Sequence, residues 1–281
     1  MAHRLAALIL GAALVLAGCS AIEDWTLPTG FVTGTSIHHM TVGGHDRSYR
    51  LYIPAGVPAS AALVVMMHGY SATAKQAERA SKWDETADAG KFVVAYPDGL
   101  DRAWNVNGGG CCGRPARKDV DDIGFIRATV SDISRNIGID SHKVYATGMS
   151  NGGIMSYTLA CATDIFAAIG PVAGAQLNSC QSPHPTSVMH IHGTADPVVP
   201  YTGGQGFNSM NFPPAQESDA FWRKVDQCGN PAVTTAGRVA TSTAGSADNR
   251  GVVLITVDGG GHEWPSFAAH MLWDFFATHP H

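Results

Sequence analysis

The sequence predicts an α/β fold with a mostly parallel, doubly wound sheet and an N-terminal antiparallel hairpin. Apolar or β-branched runs alternate along the chain with segments of helical periodicity, and the turns that join them are short. Several runs, such as Ala61–Met67, are apolar at every position, which is typical of a strand buried on both faces. These observations favour one parallel sheet with helices on both of its faces.

The N-terminus has the composition of an export signal. A short basic start precedes the apolar run Leu5–Ala17, which is too short to span a bilayer comfortably. The run leads into Leu16-Ala17-Gly18-Cys19, which resembles the bacterial lipobox, so we expect Cys19 to be diacylated and to begin the mature chain. An ordinary signal peptide with a chance cysteine is the alternative. We therefore expect an exported protein, either secreted or held at a bacterial membrane by this lipid alone. The predicted organisation is a signal peptide over residues 1–18, a tether over 19–31 and a single domain over 32–281.

Charge and composition exclude several classes of partner. The 281 residues carry a formal net charge of −5, and the acidic and basic residues are scattered. No basic stripe is present that would bind nucleic acid or an anionic membrane surface, so we expect neither as a partner. Neither a repeat nor a low-complexity linker interrupts the predicted domain. We expect a monomer that uses no cofactor.

The elements follow from local patterns. Two alternating runs, Thr35–Val42 and Arg47–Ile53, flank the turn residues Gly43–Asp46 and predict the hairpin. The later strands are short apolar runs, and the helices carry apolar residues at helical spacing. The glycine-rich stretch Leu100–Lys118 has no periodicity, so we expect a surface loop that forms a wall of the binding site. The remaining elements are predicted, in order, as strand Ala61–Met67, helix Ala74–Ala89, strand Phe92–Tyr96, helix Val120–Asn136, strand Val144–Thr147, helix Ile154–Cys161, strand Phe166–Val172, strand Val188–His192, helix Gln216–Gln227, strand Val252–Val257 and helix Phe267–Thr278.

The most informative motif is Gly148-Met149-Ser150-Asn151-Gly152, which lies between a predicted strand and a predicted helix. A serine on a sharp strand-to-helix turn projects its hydroxyl above the sheet, and flanking glycines avoid a collision of Cβ with neighbouring backbone. The first amide groups of the helix favour negative charge beside that hydroxyl. Ser150 is therefore the candidate nucleophile.

Asp196 and His262 supply the partners that a nucleophilic serine needs. A histidine must accept the serine proton, and a carboxylate must orient that histidine. Asp196 follows the strand Val188–His192 and His262 follows the last strand, so both lie where the carboxyl ends of parallel strands meet. In α/β-hydrolases the serine, the acid and the histidine follow one another in this order along the chain. The structural alternative for Asp196 is an Asx turn ahead of Pro197. The three residues together predict an acyl-enzyme and ester hydrolysis.

Other residues are expected to complete the site. The backbone N–H groups of Tyr70, in the turn after a buried strand, and of Asn151 are expected to form the oxyanion hole. Trp104 and Trp264 stand in loops near the predicted site, where an indole could line an acyl or aryl pocket, and packing in the core is the alternative for both. The width of the pocket is expected to depend on the glycine-rich loop and on the segment Tyr201–Pro214.

Five cysteines follow the lipobox cysteine, an odd number in an exported chain. We expect a disulfide between Cys161 and Cys180, which close a short loop beyond the helix that follows the nucleophile. Cys228 is expected to pair with Cys111 or Cys112, and a ring between those two adjacent cysteines is the alternative. No metal site is expected, because adjacent cysteines do not easily occupy two corners of a tetrahedron and no paired metal-binding motif occurs.

Several strings along the chain fall in register with one known family. They are Met67-His68-Gly69, Trp104 with Cys111-Cys112-Gly113, Asp121–Ile126, Val144–Gly153, His192–Asp196 and Gly261–Pro265. Together they resemble the polyhydroxybutyrate depolymerase and feruloyl esterase family of secreted α/β-hydrolases, over residues 36–279. The resemblance implies a serine esterase with Ser150, Asp196 and His262 as its triad. It also implies polyhydroxyalkanoates, or feruloyl and acetyl esters on plant polysaccharide, as substrates.

Two further expectations concern the form of the substrate and the class of function. A lipid-tethered enzyme without a polymer-binding module is expected to act on soluble esters or oligomers at the cell surface. The alternative from another class of function is a non-catalytic surface lipoprotein that keeps the hydrolase fold only to bind ligands.

Overall fold

The computed structural model describes residues 27–106 and 110–281, so the predicted signal peptide, Cys19 and part of the tether lie outside the described residues. The strands are β1 (Gly34–Val42), β2 (His45–Ile53), β3 (Ala61–Met67), β4 (Val93–Pro97), β5 (Ile139–Met149), β6 (Ala168–Val172), β7 (Ser187–Gly193), β8 (Gly204–Gln205), β9 (Asn211–Phe212), β10 (Ala232–Ala236), β11 (Val239–Gly245) and β12 (Gly251–Val257). The α-helices are α1 (Ala74–Ser81), α2 (Trp83–Gly90), α3 (Gly113–Arg117), α4 (Asp122–Asn136), α5 (Asn151–Ala162), α6 (Ala215–Val225) and α7 (Ala268–Thr278). None of the described helices combines the length and apolarity needed to cross a bilayer.

Ten of these strands form one sheet in the order β1-β2-β4-β3-β5-β6-β7-β12-β11-β10. The six central strands, from β4 to β12 in that order, run parallel to one another. An antiparallel hairpin forms each edge of the sheet, and β8 pairs with β9 in a small separate hairpin. The predicted α/β class with an N-terminal antiparallel hairpin is confirmed.

The parallel strands are buried on both faces because their side chains alternate between two cores. In β3, Leu63 and Val65 belong to the core that contains residues of α4, α5 and α6. Val64 and Met66 belong to the other core, which contains residues of α1, α2 and α7. The loops that follow the parallel strands therefore meet at one edge of the sheet between the two helical layers, which is where sites in such folds form.

The predicted helix Ala74–Ala89 consists of two helices, α1 and α2. Lys82 separates them with a left-handed backbone at a φ of 61°. The break turns the indole of Trp83 into the core, where it is fully buried and lies edge-on to Phe92, with 6.0 Å between ring centroids. Burying a large apolar side chain contributes about 1.5–3 kcal/mol, which outweighs the roughly 1–2 kcal/mol cost of one left-handed residue.

The two edge hairpins differ from the prediction. The first turn contains only Gly43 and Gly44 rather than four residues, and both have positive φ, as a type I′ turn requires. The hairpin β10-β11 at the opposite edge is absent from the prediction. Every residue of β10 is exposed, so no apolar alternation marks that strand in the sequence.

Asp226 ties the C-terminal end of α6 to the start of β7, the strand that leads to Asp196. Its buried carboxylate accepts a hydrogen bond from the Thr186 N–H at 2.9 Å and lies 3.5 Å from Nε of Arg250. Burial outweighs these attractions and raises the pKa of Asp226 to about 7. The folded protein therefore binds this proton more tightly than the unfolded chain does, and stability falls as pH rises from the unfolded pKa of about 4 toward 7.

Asp226→Asn is expected to raise the free energy of unfolding relative to the natural protein at pH 8, because the variant carries no charge to bury. The gain should be at most about 4 kcal/mol, at about 1.4 kcal/mol per pKa unit. At pH 4.5 both proteins should have nearly the same stability. Urea denaturation of both proteins at the two pH values checks this, and a difference that does not depend on pH would contradict it.

Candidate active site

Ser150 occupies the turn between β5 and α5 in a strained backbone conformation. Its φ of 56° and ψ of −120° place a residue with a Cβ in a sparsely populated region, at a cost of about 1–3 kcal/mol. The Ser150 N–H donates to the carbonyl of Val172 at 2.8 Å, and α5 begins at the next residue, Asn151. The strand-turn-helix geometry predicted from the sequence is confirmed.

Two glycines let this turn pack against β3. A Cβ on Gly152 would lie 2.2 Å from the carbonyl oxygen of Met67, and one on Gly148 would lie 2.5 Å from the carbonyl carbon of Gly152. Both distances are far below van der Waals contact, so a larger residue at Gly152 would push α5 away from β3, and one at Gly148 would push α5 away from β5. The close approach brings the turn His68–Tyr70 beside Ser150.

The loops after β7 and β12 bring Asp196 and His262 together. The two backbones meet where the Ala195 N–H donates to the carbonyl of Gly260 at 2.9 Å. A Cβ on Gly193 would lie 2.2 Å from that same carbonyl oxygen, so the crossing requires glycine there. Nδ1 of His262 lies 2.8 Å from Oδ2 of Asp196. An ionised carboxylate only accepts hydrogen bonds, so Nδ1 carries the proton and Nε2 of a neutral ring is free to accept one.

Asp196 also caps its own turn. Its Oδ1 accepts hydrogen bonds from the N–H groups of Val198 and Val199 at 2.8 and 2.9 Å, which is the Asx-type arrangement considered as the structural alternative. Asp196 can cap its turn and contact His262 at the same time, because the two contacts use different carboxylate oxygens. Burial acts to raise the pKa of Asp196, but hydrogen bonds from His192 and His262 and from the backbone outweigh it and hold the pKa well below its usual range. The carboxylate is therefore ionised at neutral pH.

Ser150 and His262 line one cavity of about 250 Å³. Among the described residues, no hydrogen bond joins the Ser150 hydroxyl to His262. In hydrolases without bound substrate this contact is often long and shortens in the complex. Both loops expected to set the pocket width contribute walls. The other lining residues are Tyr70, Cys111, Cys112, Asn151, Ile154, Val198, Val199, Phe207 and Phe212.

His68 fixes the turn that carries Tyr70. Its buried ring accepts a hydrogen bond at Nε2 from the Gly99 N–H, 2.9 Å away, and its Nδ1 lies 2.8 Å from the carbonyl of Gly69. Burial lowers the pKa of His68, so the ring is neutral with its proton on Nδ1. A Cβ on Gly69 would lie 3.5 Å from Cβ of Ser150, which shows how closely this turn approaches the serine.

The backbone N–H groups of Tyr70 and Asn151 therefore lie on the two segments that flank Ser150. Asn151 is the first residue of α5, so its N–H has no acceptor within the helix and lies at the positive end of the helix dipole. Tyr70 directly follows the glycine that packs against the serine. The oxyanion role of both groups stays a prediction.

Trp104 is part of the core and does not line the cavity, which corrects its predicted pocket role. Its indole is fully buried, and Nε1–H donates to the carbonyl of His68 at 2.8 Å. The backbone N–H of Trp104 donates to Oδ1 of Asn151 at 2.8 Å, and its carbonyl accepts from Nδ2 at 3.2 Å. A buried indole N–H needs an acceptor, and this one ties the turn before Tyr70 to the start of α5.

Trp104→Phe is expected to lower the free energy of unfolding by about 1–3 kcal/mol, because the carbonyl of His68 loses a donor inside the core. The KM for a short ester should stay within about twofold, because the indole does not reach the cavity. Urea denaturation and initial-rate kinetics measure the two effects. A large rise in KM with unchanged stability would show instead that Trp104 contacts the substrate in the pocket.

Trp264 does not line the cavity that Ser150 and His262 share, and its predicted pocket role stays a prediction. Its Nε1–H donates to the carbonyl of Ser81 in α1 at 3.1 Å. It lines a different apolar cavity, of about 200 Å³, together with Met66 and Ala77. Because Trp264 follows His262 by two residues, its indole anchors the histidine loop to α1.

The cysteines follow the prediction in part. Cys161 and Cys180 form the expected disulfide. The expected pairing of Cys228 is wrong, because Cys111 and Cys112 are joined to each other, the ring kept as the alternative, and Cys228 is free. Cys228 lies beside the first residues of β12, whereas the joined pair lines the cavity at the opposite ends of the strands. Two disulfides are typical of an exported chain.

Residues 27–106 and 110–281 contain no cluster of three or more His, Cys, Asp or Glu placed to hold a metal ion.

The fold is that of the α/β-hydrolases, and the proteins similar to this chain in sequence and structure place it among the carboxylic ester hydrolases. An acetyl xylan esterase from Aspergillus awamori shares the fold, with a TM-score of 0.67 at 18% identity over 86% of this chain and 99% of that one. The family model described as Esterase PHB depolymerase matches residues 47–211, and the chain belongs to that family.

Two curated relatives have similar sequences. "Putative esterase NocK" of Nocardia uniformis subsp. tsuyamanensis is 31% identical over 258 residues, which are 82% of this chain and 74% of that protein. "Feruloyl esterase B" of Piromyces equi is 31% identical over 233 residues, which are 77% of this chain and 42% of that protein. The chain therefore spans less than half the length of the second relative.

Proposed function

We propose that the chain is a serine carboxylesterase in which Ser150 attacks the ester, His262 transfers protons and Asp196 orients His262. One observation carries the proposal. The 2.8 Å contact between Nδ1 of His262 and Oδ2 of Asp196 lies at a cavity that Ser150 also lines. This arrangement leaves Nε2 of His262 as the atom that can accept the serine proton.

In the proposed reaction, Oγ of Ser150 bonds to the carbonyl carbon while its proton passes to Nε2 of His262. The N–H groups of Tyr70 and Asn151 stabilise the oxyanion. His262 then donates that proton to the leaving alcohol as the C–O bond breaks, and an acyl-enzyme remains. Water attacks the acyl carbon, gives a proton to His262, and the acid departs as that proton returns to Ser150. Asp196 stays ionised throughout and stabilises the imidazolium.

The proposed substrates are feruloyl, acetyl or 3-hydroxyacyl esters carried by polysaccharide side chains or polyhydroxyalkanoate oligomers. The cavity beside Ser150 supports this class, because its walls are largely apolar. Ile154, Phe207 and Phe212 contact whatever fills it, as does the disulfide between the adjacent cysteines. Such walls favour an apolar acyl group inside the cavity and a polar alcohol outside it.

A fluorophosphonate probe, which labels activated serines, tests the chemistry. We expect labelling of the folded protein and hydrolysis of short p-nitrophenyl esters. Initial rates on ethyl ferulate, an acetylated xylo-oligosaccharide and a hydroxybutyrate dimer then rank the acyl groups. A folded protein that takes up no probe and hydrolyses none of these esters would favour the non-catalytic ligand-binding alternative.

We also propose that Cys19 carries the lipid anchor, on the strength of the lipobox-like residues that precede it. Growth of the producing cells with a radioactive fatty acid should label the natural protein and leave a Cys19→Ser variant unlabelled. Equal labelling of both would refute the anchor.

A further inference from the structure

A line of buried polar side chains leads from α5 to Asp196. Oη of Tyr157 lies 3.1 Å from Nδ1 of His190, and Nε2 of His190 lies 2.9 Å from Nδ1 of His192. Nε2 of His192 lies 3.3 Å from Oδ2 of Asp196 and 2.8 Å from the carbonyl of Val199. Tyr157, His190 and His192 are all buried.

The position of the proton on His192 follows from its neighbours. Nε2 faces a carboxylate and a carbonyl, and both can only accept hydrogen bonds, so Nε2 must carry a proton. Burial, with His192 adding to it, lowers the pKa of His190 well below its usual value, so that ring is neutral. Burial also raises the pKa of Tyr157, which keeps its proton. One neutral arrangement gives each of these contacts a donor and an acceptor: Tyr157 donates to His190, His190 donates through Nε2 to His192, and His192 shares its Nε2–H between the Val199 carbonyl and Asp196.

We infer that His192 is a positioning residue for the proposed triad: its Nε2–H holds Oδ2 of Asp196 opposite His262. The inference rests on the proposed function of Ser150 and His262. Oδ1 receives two backbone donors and Oδ2 receives the His262 donor, while Nε2 of His192, whose shorter contact is with the Val199 carbonyl, lies 3.3 Å from the same Oδ2. These contacts restrict rotation of the carboxylate, which in the proposed triad orients His262 toward the serine.

The burial of β7, the strand that contains His190 and His192, supports a positioning role for His192. β7 is buried along its whole length, and an apolar residue would fill either position at lower desolvation cost. His190 and His192 are two residues apart and therefore lie on the same face of the sheet, toward Tyr157 of α5. A buried imidazole is stabilising only when its nitrogens have partners. In this chain, His190 is held by Tyr157 and fixes the orientation of the His192 ring. His192 in turn contacts Asp196.

A pair of neutral polar variants separates positioning from packing. His192→Gln keeps an amide donor near the position of Nε2, whereas His192→Asn keeps a polar group near Nδ1 but is too short to reach Asp196. We expect His192→Asn to lower kcat per fluorophosphonate-titrated site by about tenfold to a hundredfold, because a hydrogen bond to a charged group is lost. KM should change little. His192→Gln should recover most of kcat.

A second measurement reads the hydrogen bond directly. Nitrogen-15 NMR of the imidazoles should show His192 protonated at Nε2, and the His262 Nδ1–H signal should shift in His192→Asn but return in His192→Gln. Equal kcat in the natural protein and both variants, or a loss of kcat in His192→Asn that His192→Gln does not recover, would overturn the inference. Absence of probe labelling and of hydrolysis in the natural protein would instead refute the proposed function on which it rests.

Discussion

Replacing Ser150 with alanine is expected to lower kcat for a short p-nitrophenyl ester by about a millionfold. The change removes the oxygen that attacks the carbonyl carbon in the first step of the proposed reaction, so no acyl-enzyme can form. The cavity walls and the backbone N–H groups of Tyr70 and Asn151 stay in place, so KM should change little. A residual rate of about a thousandfold or more over water should remain, because the oxyanion donors and the binding cavity act without the serine. Steady-state kinetics at high enzyme concentration measures both values.

Ser156 provides a matched control on the same helix. It is buried, and its hydroxyl donates to the carbonyl of Gly152 at 3.1 Å, so it does not reach the substrate cavity. Ser156→Ala should keep kcat within about threefold and lose about 1 kcal/mol of stability. Both variants should fold, but only Ser150→Ala should fail to react with the fluorophosphonate. Activity of Ser150→Ala close to that of Ser156→Ala would show that another group is the nucleophile.

The central strands and the three proposed catalytic residues could be predicted because their signals are local. A strand buried on both faces must be apolar at every position, as β3 is, and a sharp strand-to-helix turn needs glycines beside Ser150. Asp196 and His262 were identified by their place after strands, and topology alone brings such residues to one edge of the sheet. Their 2.8 Å contact confirms that juxtaposition.

Contacts between loops could not be predicted, because they depend on which segment packs over which. Trp104 and Trp264 stand near the site in sequence, but each indole N–H found its acceptor in the core or on α1 rather than at the cavity. Nothing in the sequence shows whether Cys111 and Cys112 pair with each other or whether one of them pairs with Cys228. His190 and His192 did carry a signal, since two histidines in a strand that is otherwise buried and apolar require partners.

Asp196→Asn is expected to lower kcat by about ten-thousandfold, the size of effect that follows when the orienting acid of a serine hydrolase becomes an amide. Oδ1 of Asp196 accepts from the N–H groups of Val198 and Val199. The amide oxygen of the asparagine should therefore keep that position, which places the NH₂ group where Oδ2 contacts His262. An NH₂ group donates and does not accept, so His262 should move its proton from Nδ1 to Nε2. A protonated Nε2 cannot take the proton of the serine, and the base is lost while the shape of the site is kept.

Asp196→Asn also tests the role of His192, because the NH₂ group of the asparagine would face the Nε2–H of His192 as well as His262. His192→Asn should therefore cost little further activity in the Asp196→Asn background, although it costs about tenfold or more alone. Nitrogen-15 NMR should show the Nε2–H tautomer of His262 in Asp196→Asn and the Nδ1–H tautomer in the natural protein. Asp219→Asn, which changes a buried carboxylate paired with Arg223 on α6, serves as the control and should keep both kcat and the tautomer. An Asp196→Asn variant that retains its activity with His262 still protonated at Nδ1 would mean that some other group orients the base.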